Sequence, residues 1–361
     1  MQHARLSPSS ASRWLVCTAS VKMAERYENT SNEHADWGTL AHEVGECLLL
    51  NKPLPQCSKE HLSCAEEYAD YVRSLMTKDS ILIVEETFDL GFISPNQFGT
   101  CDACVLNGSH LHIVDLKTGH NIVKAENNSQ LMLYALGAIH ELSTFFKVDK
   151  VTLHIVQTRA EHISVWETDI DELNVFKKFV IEQAYKIMND KTSFNPEAKA
   201  CKYCPHQINC EALKSHVENV VKGSFENLED IDGKADLIDT EHIKKILDNE
   251  ELILTFIKTV KEVALERVQR GDVIDGYKVV ESNTNRKWAD EEKMVEYVKQ
   301  NYDGVELFTQ KLIPMTQILK LFPKDEKLKE MLIKPDGQPI LAPLSDKRPP
   351  LISVKDMFDN C

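Results

Sequence analysis

Hydrophobic residues in the N-terminal half of the chain fall into short blocks whose spacing changes between that of a helix and that of a strand. Leu40, Val44 and Leu48 follow helical spacing, which predicts a helix over residues 39–50 with Thr39 as its N-cap. Asn107-Gly108 stands between two apolar runs and predicts a β-hairpin. The predicted helices cover residues 39–50, 66–76, 128–141 and 171–189, and the predicted strands cover residues 81–90, 101–106, 111–116 and 150–158. This order predicts an α/β or α+β domain around a mixed central sheet flanked by helices.

The pattern changes near residue 220. Residues 239–271 carry an apolar stripe at helical spacing and predict one long or once-broken helix, whereas residues 334–350 are proline-rich and predict an extended tail. Arg286, Lys287 and Trp288 combine two cations with an aromatic ring and are a candidate DNA contact, although a solvated turn around a partly buried tryptophan is the simpler interpretation. The predicted parts are a domain over residues 1–220, a linker over residues 221–233 and a mainly helical C-terminal domain over residues 234–361.

Composition and charge narrow the function classes. The chain has 361 residues, with 42 Lys and Arg against 57 Asp and Glu, and a formal net charge of −15. This acidity argues against loose electrostatic binding of nucleic acid, but it leaves open an enzyme that meets phosphates through bound cations. Neither a long apolar run nor a signal peptide is visible, so a cytoplasmic protein without membrane contact is expected. In a reducing compartment, ten cysteines are more readily metal ligands or buried thiols than disulfides.

The predicted hairpin carries a cluster of charged residues. Asp115 and Lys117 are two positions apart on a strand, so their side chains leave the same face. A two-residue turn would place Asp102 opposite Ile113 and diagonal to Asp115, roughly 7–8 Å away between Cα atoms, whereas a four-residue loop would place it opposite Asp115. Charges among apolar neighbours require compensation, either by a divalent cation or by a carboxylate–lysine ion pair.

Four motifs, in this order along the chain, carry a family resemblance. They are Gly38 to Glu46 with His42, Gly99-Thr-Cys-Asp102, Asp115-Leu-Lys117, and Gln130 with Tyr134 one helical turn later. Together they resemble the RecB-like branch of the PD-(D/E)XK nucleases, which implies a restriction-endonuclease-like fold and metal-dependent hydrolysis of phosphodiester bonds.

The resemblance also implies roles for these residues. Mg²⁺ or Mn²⁺ would be held by Asp102, Asp115 and the Leu116 carbonyl, with His42 as a further ligand. Lys117 would orient or help to deprotonate the attacking water, and Gln130 and Tyr134 would contact DNA or Lys117. A pairing of His42 with Glu46 and an ordinary buried Tyr134 are the alternatives. Glu85 or Glu86 would add a carboxylate, and the sequence does not choose between them.

A second motif places three cysteines close together. Cys201, Cys204 and Cys210 offer three ligands, and Cys17 or His206 is a candidate fourth. One N-terminal cysteine and three after the nuclease motifs resemble the iron–sulfur staple of AddB-type and CRISPR-adaptation exonucleases. That resemblance implies a [4Fe–4S] cluster on Cys17, Cys201, Cys204 and Cys210, with Zn²⁺ as the alternative.

The resemblance therefore implies a Mg²⁺- or Mn²⁺-dependent deoxyribonuclease, with exonuclease action favoured, in phage or prophage recombination or replication. Its partners would be DNA and a phage recombination or single-strand-binding protein. The alternative is an iron–sulfur or zinc protein that binds nucleic acid without hydrolysis, as an accessory factor in recombination or packaging.

Overall fold

The computed structural model describes residues 4–27, 33–222 and 240–277. The chain divides into two compact units, Met1–Val280 and Glu281–Cys361. The second unit lies outside the described residues, and so do Arg286, Lys287 and Trp288 and most of the predicted linker. Those assignments therefore stay predictions.

A five-stranded mixed sheet forms the centre of the described unit, in the order β1-β2-β3-β4-β5. Neighbouring strands are antiparallel except for β3 and β4, which run parallel. The strands are β1 (Ile81–Asp89), β2 (Phe98–Asn107), β3 (His110–Leu116), β4 (Lys150–Gln157) and β5 (His162–Asp169). The predicted mixed sheet flanked by helices is confirmed. Among the described strands, the pattern missed β5, an edge strand on which Ile163 and Val165 face solvent, so its polarity does not resemble that of a core strand.

The helices lie around this sheet. They are α1 (Ala11–Trp14), α2 (Ser20–Ala24), α3 (Glu33–Leu50), α4 (Lys59–Ser74), α5 (Ser129–Leu142), α6 (Ile170–Met188), α7 (Ala198–Cys201), α8 (Glu211–Lys222), α9 (Thr240–Asp248) and α10 (Glu250–Gln269). Thr39 is not an N-cap, because α3 begins at Glu33 and the Thr39 hydroxyl donates to the Ala35 carbonyl within the helix. Ser58 and Asn128 cap α4 and α5 with side-chain oxygens.

Helices cover both faces of the central strands. On one face Leu131 and Ala135 of α5 pack with Cys104 and Ile113. The other face carries α3 and α4, where Ala41, Tyr68 and Val72 pack with Val105 and Val114. Since β2 and β3 are buried on both sides, they have the continuous apolar pattern from which a central hairpin is expected.

Helices α9 and α10 are separated at Asn249, as the once-broken alternative predicted. Leu252 of α10 packs with Cys201 and Leu213, so the described part of the predicted C-terminal domain shares a core with the cysteine segment. None of the helices in the described ranges combines the length and apolar character needed to cross a bilayer.

Candidate active site

The turn between β2 and β3 sets the register of the candidate site. Asn107 pairs with His110, which leaves Gly108 and Ser109 in the turn, and Gly108 adopts a left-handed φ of 61°. The last pair is Ala103 with Val114, so Asp102 and Asp115 are the next residues on facing strands. Asp102 therefore faces Asp115, which is the register expected from a four-residue loop. The predicted Asn107-Gly108 turn is wrong, because the two turn residues are Gly108 and Ser109.

Asp115 is buried and holds a compact group of polar side chains. Lys117 Nζ lies 2.9 Å from its Oδ2 and donates to its Oδ1 at 3.2 Å. Gln130 of α5 donates from Nε2 to Asp115 Oδ1 at 3.0 Å and accepts from Lys117 Nζ at 3.0 Å. The Gln130 amide also donates to the Tyr134 hydroxyl at 3.0 Å. The structure thus brings together these four residues, and the expected contact of Gln130 with Lys117 is present.

Asp102 contacts the neighbouring strand β3 and the helix α3 on the opposite face of the sheet from α5. Its Oδ2 accepts a 2.7 Å hydrogen bond from the Leu116 amide, and His42 Nδ1 of α3 lies 3.3 Å from the same oxygen. Glu85 Oε1 of β1 lies 4.0 Å from His42 Nδ1. The proposed pairing of His42 with Glu46 is wrong, because Glu46 instead pairs with Lys52 at 2.8 Å.

The structure distinguishes Glu85 from Glu86. Ligand atoms of His42, Glu85 and Asp102 all lie within 4.8 Å of one another. Glu86 is exposed and pairs across the strands with Cys101. Glu85 has a left-handed φ of 49°, which non-glycine residues rarely adopt inside a strand. The sequence offered no means of finding this backbone turn, which aims the carboxylate at His42.

Burial and mutual charge shift the pKa values of these groups. Burial raises the pKa of Asp115 to about 6. The positive charge of Lys117 lowers this pKa, and the negative charge of Asp102 raises it further. Burial, followed by the charge of Asp102, raises the pKa of Glu85 to about 7. For His42, burial acts downward, but the ion pair and hydrogen bond with Asp102 outweigh it and raise the pKa to about 9. The site therefore concentrates negative charge that favours bound protons or a bound cation.

A cleft of about 490 Å³ opens beside this cluster. His42, Glu85 and Asp102 line it on one side, and Ser7 and Tyr134 contribute to other walls. The N-terminal wall is packed closely on the Asp102 motif, because a Cβ at Gly99 would meet Pro8 Cγ at 2.4 Å and Tyr134 at 3.0 Å. This contact explains why the motif has glycine three residues before Asp102.

The residues present fit a hard divalent cation. Asp115 Oδ2 is buried and receives no well-aligned hydrogen bond from any residue in the described ranges, although Lys117 is close. Carboxylates of Asp102 and Glu85 and an imidazole converge nearby. Such an oxygen-rich set with one nitrogen suits Mg²⁺ or Mn²⁺. Ligation by the Leu116 carbonyl stays a prediction.

The four predicted cysteines lie around a second, smaller pocket. Cys17 follows α1, Cys201 ends α7, and Cys204 and Cys210 flank the turn between α7 and α8. The pKa of Cys201 is raised to about 12, chiefly by burial, with a contribution from the other three thiols. His206 also lines this pocket, and its Nδ1 lies 2.9 Å from the Tyr27 hydroxyl, so its place as a candidate fourth ligand stays a prediction.

The distances between the four cysteine sulfurs can be compared with those of a zinc site. A tetrahedral zinc site with Zn–S bonds of about 2.3 Å needs sulfurs about 3.8 Å apart. All four cysteines are described, and no three of their sulfurs lie within 4.8 Å of one another. Both the [4Fe–4S] cluster and Zn²⁺ therefore stay predictions for these four cysteines.

Comparison with known proteins adds two findings. A solved structure titled "Crystal structure of SSO0001" is similar over 57% of this chain and 85% of that chain, at 15% identity and a TM-score of 0.29. A likeness of that size carries no argument about function. The family model described as "Protein of unknown function (DUF2800)" matches residues 3–349, and the chain belongs to this family.

Proposed function

We propose that this protein is a divalent-metal-dependent deoxyribonuclease of the RecB-like PD-(D/E)XK class, with exonuclease action favoured, and that it carries a [4Fe–4S] cluster. The observation that supports this most is that Asp102 of β2 and Asp115 of β3 occupy facing positions, with His42 of α3 beside Asp102 and Lys117 beside Asp115. A structural ion pair would need only one carboxylate and Lys117. The second buried carboxylate, Asp102, and the imidazole of His42 beside it are more than that ion pair requires.

Each side chain has a part in the proposed reaction. Asp102, Asp115, His42 and Glu85 would hold Mg²⁺ or Mn²⁺, which when bound stabilises charge on the scissile phosphate and acidifies water. Lys117, fixed by Asp115 and Gln130, holds its ammonium group where it can orient a water and stabilise the developing charge. Gln130 keeps Lys117 in place, and Tyr134 anchors Gln130. The role in phage or prophage recombination or replication, with DNA and a recombination or single-strand-binding protein as partners, belongs to the same proposal.

A cleavage assay tests the proposal. Anaerobically purified full-length protein is incubated with end-labelled single- and double-stranded DNA and with circular DNA, in Mg²⁺, Mn²⁺ or EDTA. Cleavage is expected with either metal and not in EDTA, and resistance of circular DNA would identify an exonuclease. Binding of DNA without cleavage in either metal would favour the alternative of a non-hydrolytic accessory factor.

Two variants and a control assign the cleavage to this site. Asp115→Asn and Lys117→Ala are expected to lower the cleavage rate by ~10³-fold or more, because they remove a metal ligand and the positioned cation. Lys147→Ala is the control, since Lys147 is exposed and pairs with Asp149 at 2.7 Å away from these residues. Metal-dependent cleavage by a folded Asp115→Asn variant at the wild-type rate would refute the assignment.

A further inference from the structure

The loop between Lys117 and α5 projects into solvent beside the candidate site. Its first part, loop 118–125, directly follows Lys117, the lysine of the third motif. His120, Asn121 and Lys124 are exposed, and the Ile122 side chain, at 54% exposure, is unusually open for an apolar residue. Thr118, at the start of the loop, lines the same cleft as His42 and Asp102. The loop therefore begins at the cleft and continues into solvent beyond it.

A single buried side chain holds most of this loop from below. Gln157, at the end of β4, is fully buried. Its Nε2 donates to the carbonyls of Gly119 and Asn121 at 2.9 Å each, and its Oε1 accepts from the Val123 amide at 2.7 Å. One glutamine amide thus satisfies three backbone groups of an exposed loop, which fixes the loop conformation at its centre.

Two further contacts fix the ends of the loop. Arg159 Nη1 donates to the Thr118 carbonyl at 3.3 Å, and the Ala125 amide donates to Ser164 Oγ at 2.9 Å. Arg159 is itself held by Glu60 at 3.2 Å and lies 4.2 Å from the centre of the Trp37 ring. The loop is therefore fixed along its length by side chains of β4, β5 and the turn between them, and only its tip is left to solvent.

The charges around the cleft indicate what the tip would contact. Glu43, Glu46, Glu85 and Asp102 line the cleft, so a phosphodiester strand that enters it needs cationic contacts outside that lining. Lys124 is exposed six positions after Thr118 and makes no ion pair with any other residue in the described ranges. An exposed aliphatic side chain on a rigid support can pack against a base or between bases, because bases present apolar faces.

We infer that loop 118–125 is a preformed contact surface for the nucleic-acid strand that enters the cleft. In this inference, which rests on the proposed nuclease function, Ile122 packs against a base or sugar, Lys124 contacts a phosphate, and Gln157 is a positioning residue. Preorganisation matters here because a strand that binds a rigid loop loses no free energy to ordering of that loop.

Variants at the tip test the contact directly. Binding of fluorescently labelled single-stranded and duplex DNA to the full chain is measured by anisotropy, in Ca²⁺ and in EDTA. Ile122→Glu and Lys124→Glu are each expected to raise Kd about tenfold, with unchanged melting temperature, because both residues are exposed. Val175→Glu and Lys147→Glu are the matched controls, an exposed aliphatic residue on α6 and an exposed lysine elsewhere, and neither should change Kd.

A variant of Gln157 tests the positioning role. Gln157→Leu keeps the size of the side chain and removes all three hydrogen bonds, so trypsin should cut faster after Lys124 and KM for DNA should rise more than kcat falls. Gln157→Asn should restore part of the protection. Thr168→Val is the control, since Thr168 is equally buried but bonds Glu172, away from the loop.

The outcomes separate this inference from the nuclease proposal. Wild-type protein that neither binds nor cleaves DNA would refute the proposed function, and the loop surface with it. Wild-type protein that binds and cleaves, with Ile122→Glu and Lys124→Glu indistinguishable from it in Kd, would refute the loop surface alone. If Gln157→Leu fails to fold, Ile122→Glu and Lys124→Glu still test whether the loop contacts DNA.

Discussion

At the scale of single residues, the candidate site depends on one glutamate with an unusual backbone. Glu85 and Glu86 have the same side chain and are neighbours on β1, yet only Glu85 reaches His42 and Asp102. The left-handed conformation of Glu85 costs about 1–3 kcal/mol, so the surrounding structure must hold it in place. Strain of this kind is usually found where the direction of a side chain matters for function.

The pair of glutamates gives a matched experiment. Glu85→Gln is expected to weaken Mn²⁺ binding by about 10- to 100-fold, because it replaces a charged ligand with a neutral one. Glu86→Gln should leave the affinity unchanged, since its side chain is exposed and lies outside the cluster. Titration calorimetry of the metal-free full chain measures both values. Equal affinities in the two variants would exclude Glu85 from the metal site.

At the scale of elements, strands β3 and β4 bury a chain of histidines against α4. His112 Nδ1 lies 3.1 Å from His154 Nε2, and His154 Nδ1 lies 2.9 Å from the Tyr71 hydroxyl. The ring of His110 lies tilted by 36° against that of His112, with centroids 4.0 Å apart. Burial lowers the pKa of His112 to about 4 and that of His154 to about 3, in both cases with the charges of neighbouring histidines as the next cause.

These histidines predict a stability that falls in acid. Their folded-state pKa values lie below the ordinary 6.5, so the unfolded chain takes up protons first as the pH falls. The stabilisation is complete above pH 6.5 and is lost as the pH falls, down to about pH 4 for His112 and about pH 3 for His154. We expect His154→Gln, which cannot titrate, to reduce the loss of unfolding free energy between pH 7 and pH 5 by about 1–2 kcal/mol.

Urea unfolding at the two pH values measures this difference. His162→Gln is the control, because His162 lies on the adjoining strand β5 and is partly exposed. An identical loss of stability in wild-type protein and His154→Gln would show that other groups cause the acid sensitivity.

At the scale of the whole molecule, Cys17 near the N-terminus and the three cysteines that follow α6 lie around one pocket. Cys17 and Cys201 are 184 positions apart in the sequence, and a cluster that links them closes that entire span. Closure of such a long loop lowers the free energy of folding by about 5 kcal/mol in the simplest treatment, because it removes chain entropy from the unfolded state. Leu252 of α10 packs on the same segment, so loss of the cluster would also loosen α10.

The cluster proposal predicts both composition and stability. Anaerobically purified protein should be brown, with about four iron and four sulfide per chain. Cys17→Ser and Cys204→Ser should lose the iron and much of the thermal stability, whereas Cys57→Ser, at a partly exposed cysteine outside the pocket, should lose neither. One zinc and no iron per chain would establish the zinc alternative instead.

The sequence by itself determined the order of the main helices and strands, the central hairpin and the identities of Asp102, Asp115, Lys117 and the four cysteines. The elements follow from local periodicity, and the candidate site residues follow from motifs in a recognisable order, although Cys17 stands 184 positions before Cys201. Only the tertiary structure decided the turn register, the partner of His42, the choice of Glu85 over Glu86 and the role of Gln157 beneath the loop. The physical reason is that backbone conformation and partners distant in sequence set these features, and neither leaves a periodic trace along the chain.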